Sequence, residues 1–125
     1  NNNDSFSEAY TIEILYQDSI KYLEDSKCGM DSIPIFFESY FENDFVQIFV
    51  NEKLFNEDTL NTDVIINLAK VLSVGPYYEI ENVGIKVNNG KLLQIETFGK
   101  CHYIAVRFYD SKLEARFCSK APKYR

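Results

Sequence analysis

The chain has 125 residues, of which 46% are hydrophobic and 15% aromatic, enough for one domain with its own core and too apolar for a disordered chain. No apolar run approaches the roughly 18 residues that a membrane-crossing helix needs. A net charge of -6 argues against nucleic-acid binding, which calls for a basic domain or a dominant basic face.

The first segment begins Asn1-Asn2-Asn3-Asp4, without an initiator Met, so a removed signal peptide stays open. Residues 1–4 read as a flexible leader. Ser5 to Lys27 reads as a helix. Ile12, Leu15, Tyr16, Ser19, Ile20 and Leu23 follow the spacing of one buried helical face, Ser5 and Glu8 have capping-box spacing, and Cys28-Gly29 supplies a stop. Tyr10, Ile12, Ile14 and Tyr16 also alternate as a strand would, with a short helix from Ser19. The long helix is the preferred reading.

Next comes a hairpin, with strands over 35–42 and 45–50 and a turn at Asn43-Asp44. One face carries Phe37, Ser39, Phe41, Val46, Ile48 and Val50. The other carries Phe36, Glu38, Tyr40, Gln47 and Phe49, half aromatic and half polar. Pro34 stands at the strand start, where proline is tolerated. Thr59 to Val74 then reads as a second helix. Val64, Ile65, Leu68, Val71 and Leu72 form its buried stripe, Asp58 or Thr62 caps it, and Gly75-Pro76 ends it.

Four strands follow. Those over 77–87 and 92–98 flank Asn88-Asn89-Gly90, read as a type I turn closed by a left-handed glycine. That register sets Ile85 opposite Leu93 and Val83 opposite Ile95. The apolar parity switches between Ile80 and Val83, which predicts a bulge near Glu81-Asn82. The last hairpin, over 102–109 and 113–119, turns at Asp110-Ser111 and sets Arg107 opposite Glu114 and Cys118 opposite Tyr103. Residues 120–125 form a short basic tail. The expected fold is a single α+β domain over residues 1–125. Its order is α-β-β-α-β-β-β-β, with about six mostly antiparallel strands and two helices on one face.

Catalytic signatures are scarce. The only histidine, His102, adjoins Cys101, but neighbours on a strand point to opposite faces, so the two cannot act as nucleophile and base. His102 is expected at the rim of the core, in the row of Ile104, Val106 and Phe108. The three cysteines lack metal-site spacing, so no metal or other cofactor is expected. The hairpin register separates Cys101 from Cys118 beyond the roughly 7 Å limit for bridging, so both are expected free, and an odd count suits a cytoplasmic, reducing setting. Pairing of Cys28 stays open. Glu79, Glu81 and Glu96 form a possible carboxylate cluster on neighbouring strands.

Charge is unevenly spread. Residues 1–63 hold 14 acidic against 3 basic side chains, net -11, and residues 64–125 hold 5 against 10, net +5. This asymmetry, with the empty catalytic inventory, favours a non-enzymatic protein-binding module. The expected type is a small acidic inhibitor or immunity-type protein that neutralises a basic protein partner. Phe36, Glu38, Tyr40, Glu42, Asp44 and Phe49 are its expected contacts, since aromatics among carboxylates suit an interface. The alternative is a ligand-binding protein or enzyme with a pocket between a curved sheet and the helices, lined by Tyr77, Tyr78, Glu79, His102 and Tyr103. The weakest reading is nucleic-acid binding by Lys112, Arg116, Lys120, Lys123 and Arg125 among Tyr103, Tyr109 and Tyr124.

Overall fold

The computed structural model describes residues 11–16 and 31–118. Nine strands run through them: β1 (Thr11–Tyr16), β2 (Ile33–Phe37), β3 (Asp44–Val50), β4 (Lys53–Leu60), β5 (Lys70–Val74), β6 (Asn82–Val87), β7 (Leu93–Glu96), β8 (Tyr103–Tyr109) and β9 (Lys112–Cys118). A single 3-10 turn, Tyr77–Glu79, is the only helical element among the described residues. The α+β expectation is therefore overturned in favour of an all-β fold.

The strands form two sheets, β1-β9-β8-β2-β5 and β4-β3-β6-β7. Alternation explains them. In β6, Val83, Ile85 and Val87 are fully buried, while Lys86 between them is half-buried. In β7, Leu93 and Ile95 are buried and Glu96 is exposed. β2, β8 and β9 repeat the pattern with Ile33, Ile35 and Phe37; Ile104 and Val106; and Leu113, Ala115 and Phe117. The apolar rows of both sheets join in one cluster, so the two sheets sandwich a shared core.

Two of the predicted hairpins stand. β6 pairs antiparallel with β7, Ile85 opposite Leu93 and Val83 opposite Ile95. β8 pairs with β9, Arg107 opposite Glu114 and Tyr103 opposite Cys118. The turn between β6 and β7 differs in type: Asn88 and Asn89 both have positive φ (51° and 59°), and the Gly90 N–H reaches the Val87 carbonyl at 2.9 Å. The left-handed positions are therefore the two asparagines and not Gly90, within a loop that the Ile85–Leu93 register leaves three residues long. The parity switch at Ile80 comes from the 3-10 turn, which ends where Asn51 intervenes. Its side chain accepts the N–H groups of Glu81 and Asn82 at 2.8 and 3.3 Å and donates to the Glu79 carbonyl at 2.8 Å.

The first expected hairpin is not one. β2 lies between β8 and β5, and β3 lies between β4 and β6 in the other sheet. Residues 38–43 carry the chain across. Alternation makes each segment a strand, but nothing local chooses its partner. Pro34 sits one residue before the β2–β8 ladder begins at Ile35, where a missing N–H is tolerated.

The second expected helix is the end of β4, a loop and β5. Val64, Ile65, Leu68, Val71 and Leu72 have helical spacing, but the segment is rich in β-branched residues, which lose χ1 freedom in a helix. Asp63 also accepts the Ile65 N–H on its side chain at 2.9 Å, and Asn67 takes φ 59°. These local bonds favour a turn over a first helical turn. Of the first expected helix, residues 11–16 form β1, which pairs parallel with β9. The strand alternative applies there, because β9 offers a free edge that continues the core rows through Ile12 and Ile14. The rest of that segment lies outside the described residues, as do the leader and the basic tail.

Tight turns close two further connections. Asn51-Glu52 links β3 to β4 with φ 51° and 70°, and Asp110-Ser111 links β8 to β9 with φ 48° and 58°. Left-handed backbone costs a side-chain-bearing residue roughly 1–2 kcal/mol. Glu52→Gly is therefore expected to stabilise the protein by about 0.5–1 kcal/mol, once the extra freedom of glycine in the unfolded chain is subtracted. Urea melts of the two proteins would show this, and an unchanged or lower midpoint would contradict it.

Candidate functional site

Four loops meet at one end of the sandwich: 38–43, 61–69, 88–92 and the turn Asp110-Ser111. Hydrogen bonds lace the first two together. The Ala69 N–H reaches the Phe37 carbonyl at 2.7 Å, and the Thr62 N–H reaches the Phe41 carbonyl at 2.8 Å. The Thr62 hydroxyl donates to the Glu38 carbonyl at 2.7 Å and accepts the Phe41 N–H at 2.9 Å. The Asn61 side chain accepts the Asn43 N–H at 2.8 Å. The third loop joins through Asn88, whose side chain accepts the Phe45 N–H at 2.8 Å and donates to Asp44 at 2.7 Å. The turn at Asp110 joins through Tyr40, which packs edge-on against Tyr109 with ring centroids 6.4 Å apart.

This braced end presents apolar side chains to water. Val64 is 89% exposed, Ile65 86% and Tyr40 68%. The tip that carries Val64 and Ile65 is closed at its base by a bridge between Asp63 and Leu68 and by the Asn67 N–H bonded to the Asp63 carbonyl at 2.7 Å. The same end of the sandwich carries Glu42, Asp44, Asp63 and Asp110, with Lys91 the single lysine of the four loops.

The expected contact residues scatter. Tyr40, Glu42 and Asp44 lie at this end. Phe36 is half-buried on the outer face of the five-stranded sheet, its ring 6.3 Å from that of Tyr103. Phe49 is half-buried on the outer face of the other sheet, on the opposite side of the molecule. Glu38 is 3% exposed, and its Oε1 accepts Arg107 Nε at 2.8 Å and an Arg116 guanidinium N–H at 2.5 Å. The hydrogen bond to Glu38 holds the Arg107 guanidinium above its ordinary pKa.

The residues of the alternative pocket also separate. Tyr77, Tyr78 and Glu79 form the 3-10 turn at the far end, with Tyr78 61% exposed. His102 is 1% exposed, its ring 4.4 Å from Phe117 in the core. Tyr103 lies on the outer face. Glu79, Glu81 and Glu96 are all exposed, and no group of three His, Cys, Asp or Glu within reach of one metal ion occurs among the described residues. Of the basic patch, Lys112 pairs with Glu13, which raises its pKa, and Arg116 pairs with Glu38. Its other cations and Tyr124 lie outside the described residues.

Comparison with family models, curated proteins and solved structures yields no match. The site is therefore read from its own chemistry. Sequence reasoning missed Val64 and Ile65 because it counted them as a helix's buried stripe. The available signal was Asp63 and Asn67, two turn-favouring residues bracketing the apolar triplet.

One further correction concerns Cys101. It is disulfide-bonded and 6% exposed. The hairpin register spoke only to pairing with Cys118, and freedom did not follow from it.

On the other flank of the sandwich, Lys70 of β5 reaches across to β4, with Nζ 3.0 Å from Asp58 Oδ2 and 3.3 Å from Asn56 Oδ1. This clasp, with the Thr59 N–H, holds the Asp58 carboxyl below the usual aspartate range. A depressed carboxyl contributes stability above its unfolded pKa and loses it as pH falls through the folded value. Urea melts from neutral pH downward should therefore show the wild type losing stability below the ordinary aspartate range, with Asp58→Asn flatter there. Parallel curves would remove the clasp from the account.

Proposed function

We propose that this chain is a non-enzymatic protein-binding module, an acidic inhibitor-type domain that docks a basic protein partner through the braced loop end. The observation that carries the reading is the exposure of Val64 and Ile65 at a hydrogen-bonded tip. Two adjacent aliphatic side chains held almost wholly in water gain roughly 1.5–3 kcal/mol each if a partner buries them fully. Rigid bracing lowers the ordering cost of such an anchor. The carboxylates Glu42, Asp44, Asp63 and Asp110, against the single Lys91 of these loops, make the end predominantly negative, which steers a cationic partner and repels anionic ones. Tyr40 adds an aromatic of the kind that dominates interface energetics.

The Cys101 disulfide supports a second part of the proposal, that the protein works in an oxidising compartment rather than the cytoplasm. No helix among the described residues is long and apolar enough to cross a membrane.

The experiment is a comparative pull-down from the source's own extract at low and moderate salt, with mass spectrometric identification. The wild type and Phe49→Ser should retain one stoichiometric basic protein. Ile65→Asp and Val64→Asp should lose it, and Glu42→Lys with Asp63→Lys should weaken it most at low salt. A partner held equally by all five proteins would sink the loop end as the site.

A further inference from the structure

We propose that the free edge of β4 is a strand-addition site for an extended, cationic segment of another protein. At eight residues, β4 is the longest strand among those described, and it ends its sheet. Edge strands of that length are usually blunted, because their outward N–H and C=O groups template pairing.

The hydrogen bonds show which groups face out. Phe45 of β3 directs its own N–H and C=O to Asn88, on the β6 side. Thr59, opposite Phe45, is therefore in a non-hydrogen-bonded pair, and its backbone groups point to the edge. Its N–H is taken by the Asp58 side chain at 2.8 Å, and its carbonyl faces outward. Two residues earlier, opposite Gln47, Glu57 has the same orientation. Its side chain lies on the outer face, within 3.2 Å of Gln47 Nε2. An incoming strand would thus bond Glu57 through both backbone groups and Thr59 through its carbonyl.

The side chains say what kind of strand. Glu57 places a carboxylate without a cationic partner among the described residues on the outer face of the edge, and Asp58 places one on the inner face, where Lys70 already pairs with it. A second copy of β4, in either direction about this segment, would bring those carboxylates against each other, and like charges opposite one another destabilise a pair. A strand carrying arginine or lysine there would be favoured. Beyond the register shift between Ile48 and Phe49, which interrupts the ladder at Phe55, stand Leu54 (53% exposed) and Phe55 (48% exposed). They offer apolar contact to the same segment further along. Running antiparallel to β4, the preferred occupant reads as a cation opposite Glu57 followed two or three residues later by β-branched residues. This inference stands on the edge and not on the loop end.

The test uses the full chain and a labelled, acetylated and amidated peptide, Thr-Thr-Arg-Arg-Thr-Val-Ile, followed by fluorescence anisotropy. Saturable, salt-sensitive binding is expected. The same peptide with glutamates for the arginines should bind at least about tenfold more weakly. Glu57→Thr, which keeps the N–H and loses the charge, should weaken binding about threefold to tenfold. Glu57→Pro, which removes an outward N–H and no β3 bond, should weaken it at least about tenfold, and both variants should melt like the wild type. Amide exchange at Glu57 should slow on binding, and Val64→Asp should change nothing. Absence of saturable binding, or equal binding by Glu57→Pro, would overturn the proposal. Dimerisation of the free chain, lost in Glu57→Pro, would assign the edge to a second copy and overturn the choice of occupant.

Discussion

Glu38→Ala is expected to lower stability by about 2–3 kcal/mol, a large effect for a residue on the outer face of a sheet. Glu38 is 3% exposed and holds two guanidinium groups on one carboxylate oxygen. It lies just beyond β2, where its N–H continues the ladder to the Val106 carbonyl at 2.8 Å. Arg107 and Arg116 approach from β8 and β9, so the network ties three strands together across their outer face. Removing one partner of a buried pair typically costs about 3–5 kcal/mol, because charge is left uncompensated. The lower figure applies here because the Arg107 side chain is 40% exposed and Arg116 19%, so water relieves part of the loss. Arg107 titrates too high to add pH dependence in any ordinary buffer. Its raised pKa contributes below the unfolded value and is lost only above it. Replacing all three residues with leucine or methionine of similar volume should restore most of the loss, since a buried ionic group is often no more stabilising than a packed apolar one. Urea denaturation of both variants decides the matter. A single variant within about 0.5 kcal/mol of wild type would show that the network contributes packing and little else.

How much of this was legible in the sequence depended on distance along the chain. Turn chemistry and alternation are local, so Val83–Ile95, Ile85–Leu93 and Arg107–Glu114 followed from residues that meet within a hairpin. β2 and β3 carry equally clear alternation, yet they lie in different sheets. Their partners come from residues 70–74, 103–109, 53–60 and 82–87, and no local rule selects among these. The apolar spacing at Val64, Ile65 and Leu68 fits a helix as well as a loop leading into a strand. The decision there belonged to Asp63 and Asn67, whose side-chain and backbone preferences compete with helix formation. The same segment holds the candidate site, so the error in fold hid the site. Tyr40, Glu42 and Asp44 could be named because they lie opposite or beyond the apolar row of Phe37 and Phe41, which reads as surface whether the segment is a strand or a loop. Glu38 shared that pattern, but its partners lie 69 and 78 residues away, which placed its ion pairs out of view.

Cys101→Ser is expected to cost about 2–5 kcal/mol, the usual loss when a native disulfide leaves a small domain. Cys101 stands just before β8, in the loop that returns from the four-stranded sheet to the five-stranded one. A cross-link limits the conformations open to the unfolded chain, and its loss raises the entropy of that state. A second contribution comes from position. Cys101 is 6% exposed beside His102, so serine would also bury a hydroxyl where sulfur sat. Cys101→Ala separates the two effects: it keeps the entropic loss and removes the polar one, so it should be the milder variant. The chemistry is checkable without a variant. The chain has three cysteines, and one bond consumes two, so denaturation without reductant should leave one alkylatable thiol, rising to three after reduction. A count of three without reductant, in protein isolated from its own source, would remove the cross-link and the argument for an oxidising compartment together. A count of one, with a melting midpoint that falls on reduction, would show that the sandwich relies on a covalent tie as well as its core. It would also leave the remaining thiol available for pairing outside the chain, as an odd cysteine in an oxidising space tends to be.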